Sequence, residues 1–263
     1  MSSALCSVAL VVLGGCSNDA LDTSTPTKAL DAIAEMVTSG HPEGLPQMIE
    51  IAARDVTFDD GVTEASAIAD VKGKASDMLA QLWRVSTKIK ARFPKELADE
   101  GSKAVDAGIE KAREFGFDYR SLAKQVLGDP FGFLAAQRTR VTAEDMGDGT
   151  AAILIDDEPA FGGLLTMVET RDGWRINVPV EAIRTNKYWP DTRHEWAVIA
   201  SMMLGIENSL NDFEAEIDSG KIRSLREAGE RVGRLVGESV IVQSVIYAMM
   251  KRDDGSAPTP AAP

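Results

Sequence analysis

Sulfur and imidazole are scarce in this chain, whose 263 residues hold two cysteines and two histidines. A zinc site needs three or four ligands in suitable geometry. His41 and His194 lie far apart, and Cys6 and Cys16 sit in the apolar leader, so no such set is available. A phosphate-binding loop is missing too, because Gly162 and Gly163 precede a strand pattern with no helix and lysine behind them. Ser, His and Asp fall into no recognisable triad spacing. Asp156, Asp157 and Glu158 adjoin one another but lack the alternating oxygens of a calcium loop, and read as a charged turn after a strand. Asp118 and Tyr119 are the one adjacent acid and phenol, yet sequence neighbours point in different directions on any regular element. No catalytic residue, metal ligand or cofactor is therefore predicted, and the expectation is a protein that is not an enzyme.

Positive charge is also in short supply: 28 Lys and Arg stand against 41 Asp and Glu, a net charge of −13. Nucleic acids and anionic lipid surfaces would be repelled. After residue 16 no run approaches the roughly 20 consecutive apolar residues of a membrane span.

What is present begins at the N-terminus. Ala4 to Leu13 is apolar and free of charge, Leu13, Gly14, Gly15 and Cys16 follow, and Ser17, Asn18 and Asp19 are polar. A short apolar stretch ending in small residues reads as a secretory signal. Leu, two small residues and Cys resemble the lipobox of bacterial lipoproteins, although Met1 to Cys16 lacks the usual basic residues. The resemblance implies removal of residues 1–15 and lipidation of Cys16 with acyl chains such as palmitate. Several chains give stable attachment where one gives only marginal residence. The expected address is the cell envelope, on the extracytoplasmic side. In a Gram-negative cell Ser17 would favour the outer membrane, facing the periplasm. The membrane would then be a partner through the N-terminal lipid alone. Cys6 leaves with the leader and Cys16 is blocked, so no disulfide forms within the mature chain.

Residues 16–25 read as a tether, 26–252 as a single α+β domain, and 253–263, rich in Pro and Ala, as a disordered tail. Within the domain, 26–127 reads as helical. Thr25 and Pro26 open a helix carrying Leu30, Ile33 and Val37, and Gly40 stops it. A second helix is expected from Pro42 to Ala53. Met78, Leu82, Val85, Ile89 and Phe93 mark a long helix interrupted at Pro94, followed by thinner helical stretches at Glu96 to Phe115 and Tyr119 to Leu127. Over 131–179 the period changes to alternation, with strands near Thr139 to Ala143, Ala151 to Ile155, Leu164 to Thr170 and Trp174 to Val178. Asp172 and Gly173 are a strong hairpin signal. An antiparallel sheet of about four strands, packed on helices, is therefore predicted.

Residues 191–250 read as a C-terminal helical hairpin. Trp196, Ile199, Met203, Ile206, Leu210, Phe213 and Ile217 alternate in steps of three and four. A partner helix from Lys221 to Met250 contributes Ile222, Leu225, Val232, Leu235, Val236, Val242, Val245, Ile246 and Met249, with Gly220 at the turn; the seam reads first as the pair packing on each other and on the sheet, with dimerisation as the alternative.

The Pro-initiated helix, the short second helix and hairpin strands ending in Asp172, Gly173, Trp174, Arg175, Ile176, Asn177 and Val178 resemble the nuclear transport factor two-like fold, over Thr25 to Val56 and Phe133 to Val178. That fold implies a curved sheet wrapped on helices as a cone. The long helical block and the C-terminal helices are then a helical insertion and an extension. Tyr188, Trp189, Arg193, His194 and Trp196 gather aromatic and charged groups where sheet gives way to helix, and form a candidate interaction cluster. The expected function is a noncatalytic binding or interaction domain, with an envelope protein as partner. The alternative is a small apolar ligand binder or enzyme using a cone-shaped pocket, its ligand unknown.

Overall fold

In the computed structural model the described residues are 21–97, 131, 135, 138–186 and 188–253. The leader with Cys6 and Cys16, the stretches 98–130 with Asp118 and Tyr119, and the tail from 254 lie outside them.

Thr25 adopts extended backbone and its hydroxyl accepts from the Lys28 N–H at 3.3 Å, so helix α1 (Pro26–Ser39) starts where a missing proline N–H costs nothing. Gly40 ends it in the left-handed region, with the Trp83 indole close enough to leave no room for a Cβ. The next segment departs from expectation. Pro42–Met48 is a 3₁₀ helix and Ile49–Glu50 a short strand, β1, in place of a helix reaching Ala53. Pro46 inside the segment removes a donor that an α-helix would need.

Strands β2 (Val141–Asp145), β3 (Thr150–Ile155), β4 (Glu158–Pro159), β5 (Thr166–Thr170) and β6 (Gly173–Asn177) complete the sheet. The order is β1-β6-β5-β3-β2, with β4 also paired to β3. The predicted hairpins are there: Val141 lies opposite Ile155, and Glu169 opposite Trp174. The sheet is nonetheless mixed and has six strands, because β1 runs parallel to β6. A two-residue strand is too short for alternation to reveal it. Arg138–Arg140 forms a 3₁₀ turn, so β2 begins two residues later than predicted. Asp156 and Asp157 both have positive φ, which makes them a tight turn between β3 and β4.

One face of the sheet is covered by α1. Ala29, Leu30 and Ala32 bury themselves against Met48, Ala151, Ile153, Met167 and Trp174, with Ile33, Met36 and Ile176 packed around them.

The rest of the domain is helical. A five-residue helix that the periodicity does not announce, α3 (Val180–Arg184), follows the sheet. The long helices are α2 (Glu64–Arg92), α4 (Arg193–Asp218) and α5 (Leu225–Asp253). Phe93 closes α2 just before Pro94, as the sequence requires. Gly220, at φ 75°, turns the chain between α4 and α5. The predicted hairpin forms, tied by the Ser209 and Ser239 hydroxyls at 2.8 Å. α2 packs along α4 in the same direction, from Arg54 and Asp191 at one end to Arg92 and the Ile217 carbonyl at the other. Val85, Ile89, Phe93, Leu210, Phe213, Ile217, Ile222, Leu225, Ala228 and Val232 form the bundle core. The alternating seam of α4 thus serves two neighbours within one chain.

Candidate functional site

Sheet and bundle meet at the start of α4, where the aromatic and charged cluster lies. Thr192 caps the helix by accepting from the Glu195 N–H at 3.2 Å. The Glu195 carboxylate reaches back to the backbone N–H groups of Asp191, at 2.5 Å, and Thr192, at 3.0 Å. This reciprocal capping box buries Glu195 completely. Its other oxygen faces the Lys251 ammonium at 2.9 Å as an ion pair. Burial alone would lower the Lys251 pKa, but its bonds to Glu195 and Asp191 outweigh that and raise it.

A second buried carboxylate sits at the first turn of α2. Glu64 accepts from Arg54 three times: from Nε at 2.9 Å, from Nη2 at 2.7 Å and from the backbone N–H at 2.5 Å. Arg184 adds a cation at 3.7 Å. Asp191 bridges the two centres, pairing with Arg54 and with Lys251, each at 3.1 Å. Three cations and three carboxylates therefore neutralise one another, and both buried acids are occupied by internal partners.

The aromatic residues wall this network. Trp189 and Trp196 meet edge to face with centroids 5.7 Å apart, and Arg184 stands 5.9 Å from the Trp189 ring. Trp196 packs on Ala67 and Ile68 beside Ile51, Phe58 and Ile199. The Tyr247 hydroxyl donates to the Tyr188 carbonyl at 2.7 Å. Burial, then the Glu195 and Asp191 charges, raise the Tyr247 pKa well above that of an ordinary phenol. Glu195 Oε1, which meets Lys251 as an ion pair, and four buried donors here make no hydrogen bond of good geometry, the donors being Arg184 Nε, Trp189 Nε1, Arg193 Nη1 and Trp196 Nε1.

Of the five residues singled out from sequence, Trp189 and Trp196 come together inside the junction. Arg193 pairs with Asp60 at 3.4 Å. The Tyr188 side chain is largely exposed, and His194 is exposed at the first turn of α4. The principal charged members, Arg54, Glu64, Arg184, Glu195 and Lys251, come from distant segments and carry no local signature, apart from the Thr192 and Glu195 spacing of a capping box.

The second half of α5 contrasts with this closed junction. Ile241 is 64% exposed, Met249 59%, Val242 58%, Val245 53% and Ile246 40%. Four of these, Val242, Val245, Ile246 and Met249, were expected to pack inward. Instead Tyr247 and Lys251 make that contact, and the aliphatic residues form a continuous outward stripe. The visible signal is the absence of any charge from Ser239 to Met250. By length and mean hydropathy, Leu225–Lys251 is also the one candidate membrane span among the described residues, although charges interrupt its first half.

Elsewhere, an open groove lined by Glu216, Lys221, Glu227, Glu230, Arg231 and Arg234 is internally paired through Arg231 and Glu216 at 2.6 Å. Among the described residues no group of His, Cys, Asp and Glu is arranged to hold a metal ion. Asp156 of the acidic turn is paired with Arg140. No family model, curated protein or solved structure matches the chain.

Proposed function

We propose that this protein is a membrane-anchored extracytoplasmic lipoprotein whose folded body is a noncatalytic interaction domain. The observation that carries the interaction reading is the aliphatic stripe of α5. Five large side chains stand between two-fifths and two-thirds exposed on one helical face, and contiguous exposed apolar surface of this kind marks an interaction site. Full burial of such a side chain contributes about 1.5–3 kcal/mol, so covering five that are half exposed is a substantial driving force.

The junction supports the same reading, because its buried acids already bind arginine, lysine and backbone donors. The α1 side chains seated on the sheet favour it over an apolar ligand held in a cone. The anchor rests on Leu13, Gly14, Gly15 and Cys16.

Two measurements test the proposal. Intact mass of native material is expected to show a chain starting at a lipidated Cys16; a chain retaining Met1 and bearing no lipid contradicts the anchor. For the interaction, Ile241→Ser, Val245→Ser and Met249→Ser are combined. Native electrophoresis of gently solubilised envelopes is expected to show the parent in an assembly larger than one chain and the variant released from it. The same mobility for both contradicts the interaction reading.

A further inference from the structure

We infer that the C-terminal half of α5, residues 240–253, is a latch that lifts from the junction as one unit, hinged at Gly237, while the rest of the bundle stays folded. This latch is independent of what the stripe on its outer face contacts.

Burial divides α5 in two. Leu225, Ala228 and Val232 are buried in the bundle core with Leu235 and Val236 packed beside them, whereas among the described residues none after Val236 joins a core cluster. Beyond Ser239, Tyr247 is the one described side chain that is buried. Segments with few buried apolar contacts open locally at a fraction of the global stability.

Polar ties place the latch without holding it strongly. After the Ser239 bond to Ser209, the described ties are the Tyr247 hydroxyl on the Tyr188 carbonyl and the Lys251 ammonium on Glu195 and Asp191. Lifting returns ammonium and carboxylates to water, and the recovered hydration offsets much of the lost attraction. The phenol likewise exchanges its carbonyl for water.

The backbone supplies a hinge at the same boundary. Gly237 lies two residues before Ser239, and sharp helix bends occur at such Gly and Ser pairs. A Cβ at Gly237 would meet nothing within 4 Å, so no packing requires glycine there. Beyond the hinge, Val240, Ile241, Val242, Val245 and Ile246 are β-branched, favour helix weakly and rely on packing to stay helical.

The neighbouring helix is built to survive the opening. Glu195 Oε2 accepts the Asp191 and Thr192 N–H groups, while Oε1 faces Lys251. Lifting therefore leaves α4 capped and opens Oε1 to solvent.

Hydrogen exchange of the full chain carrying Cys6→Ala and Cys16→Ser, read by mass spectrometry of peptic fragments, tests the latch. Amides of residues 240–250 are expected to exchange together, at least tenfold faster than those of 229–236. Lys251→Met strands the Glu195 carboxylate in the closed form and should speed the exchange of 240–250 a further tenfold or more, leaving 229–236 and α2 unchanged. Tyr247→Phe should speed it a few-fold. Gly237→Ala stiffens the hinge and should slow it about fivefold. Circular dichroism checks that every variant folds. Equal protection along α5, or fast exchange confined to the last turn as in ordinary fraying, overturns the latch. So does Lys251→Met that speeds 229–236 and α2 as much as 240–250, because the helix then opens only with the whole bundle. Unchanged exchange in Gly237→Ala overturns the hinge.

Discussion

Replacing Arg54 by Met is the most informative perturbation of the junction. The substitution keeps the aliphatic bulk but removes two of the three donors to the fully buried Glu64, leaving the Arg54 backbone N–H and Arg184 at 3.7 Å. Breaking a buried pair from one side costs about 3–5 kcal/mol, because the other charge stays stranded. The surviving donor and cation place this case at the lower end, about 3 kcal/mol. Losing the contact to the exposed Asp191 adds little. For a chain of this size that is a drop in Tm of roughly 6–12 °C. Removing both charges, as Arg54→Met with Glu64→Leu, should recover most of the loss, since a buried pair exchanged for apolar groups of similar size is often neutral. Urea unfolding followed by circular dichroism measures both variants. A single variant losing less than about 1 kcal/mol, or a double variant worse than the single, would refute the assignment of Glu64 as a charge held by Arg54.

Three further outcomes follow from the same structure. Gly173 has φ 98°, and a Cβ there would sit 2.0 Å from the Thr23 hydroxyl oxygen and 2.7 Å from its carbonyl oxygen; Gly173→Ala should cost about 2 kcal/mol or more in urea unfolding. Burial pushes the Glu214 pKa up, but bonds from Lys88 and Gln81 outweigh it and leave the pKa lowered. Its contribution to stability is thus complete above its ordinary value of 4.5 and is lost as pH falls through the lower folded value. The stability gap between parent and Glu214→Gln should narrow from pH 7 to about pH 3. Tyr247 should stay protonated in the folded chain when an ordinary tyrosine ionises, so stability falls as pH rises above 10.0. In an absorbance titration at high pH, one of the three tyrosines should ionise only with unfolding, and Tyr247→Phe should abolish that step.

Local rules made much of this fold legible. Thr25, Pro26 and Gly40 bounded α1, alternation located the four main strands, Asp172 and Gly173 marked a hairpin, and Gly220 marked the helical turn. Features that depend on distant partners were not legible. Two-residue β1 owes its pairing with β6 to the fold that brings Ile49 beside Ile176. Arg54, Glu64, Arg184 and Lys251 share one network although the chain separates them widely. The outward stripe of α5 is not legible for a related reason. An apolar face reads the same in sequence whether its own chain or another molecule covers it, so periodicity alone does not separate inward packing from an outward face at Val242, Val245, Ile246 and Met249.

The most direct test of the interaction face is a photo-crosslinking residue placed at Val245 in cells, with Glu230 as the control position. The stripe should yield a protein adduct at 245 and none at 230. Equal labelling at the two sites, or recovery of the uncrosslinked single chain from both, would contradict the account.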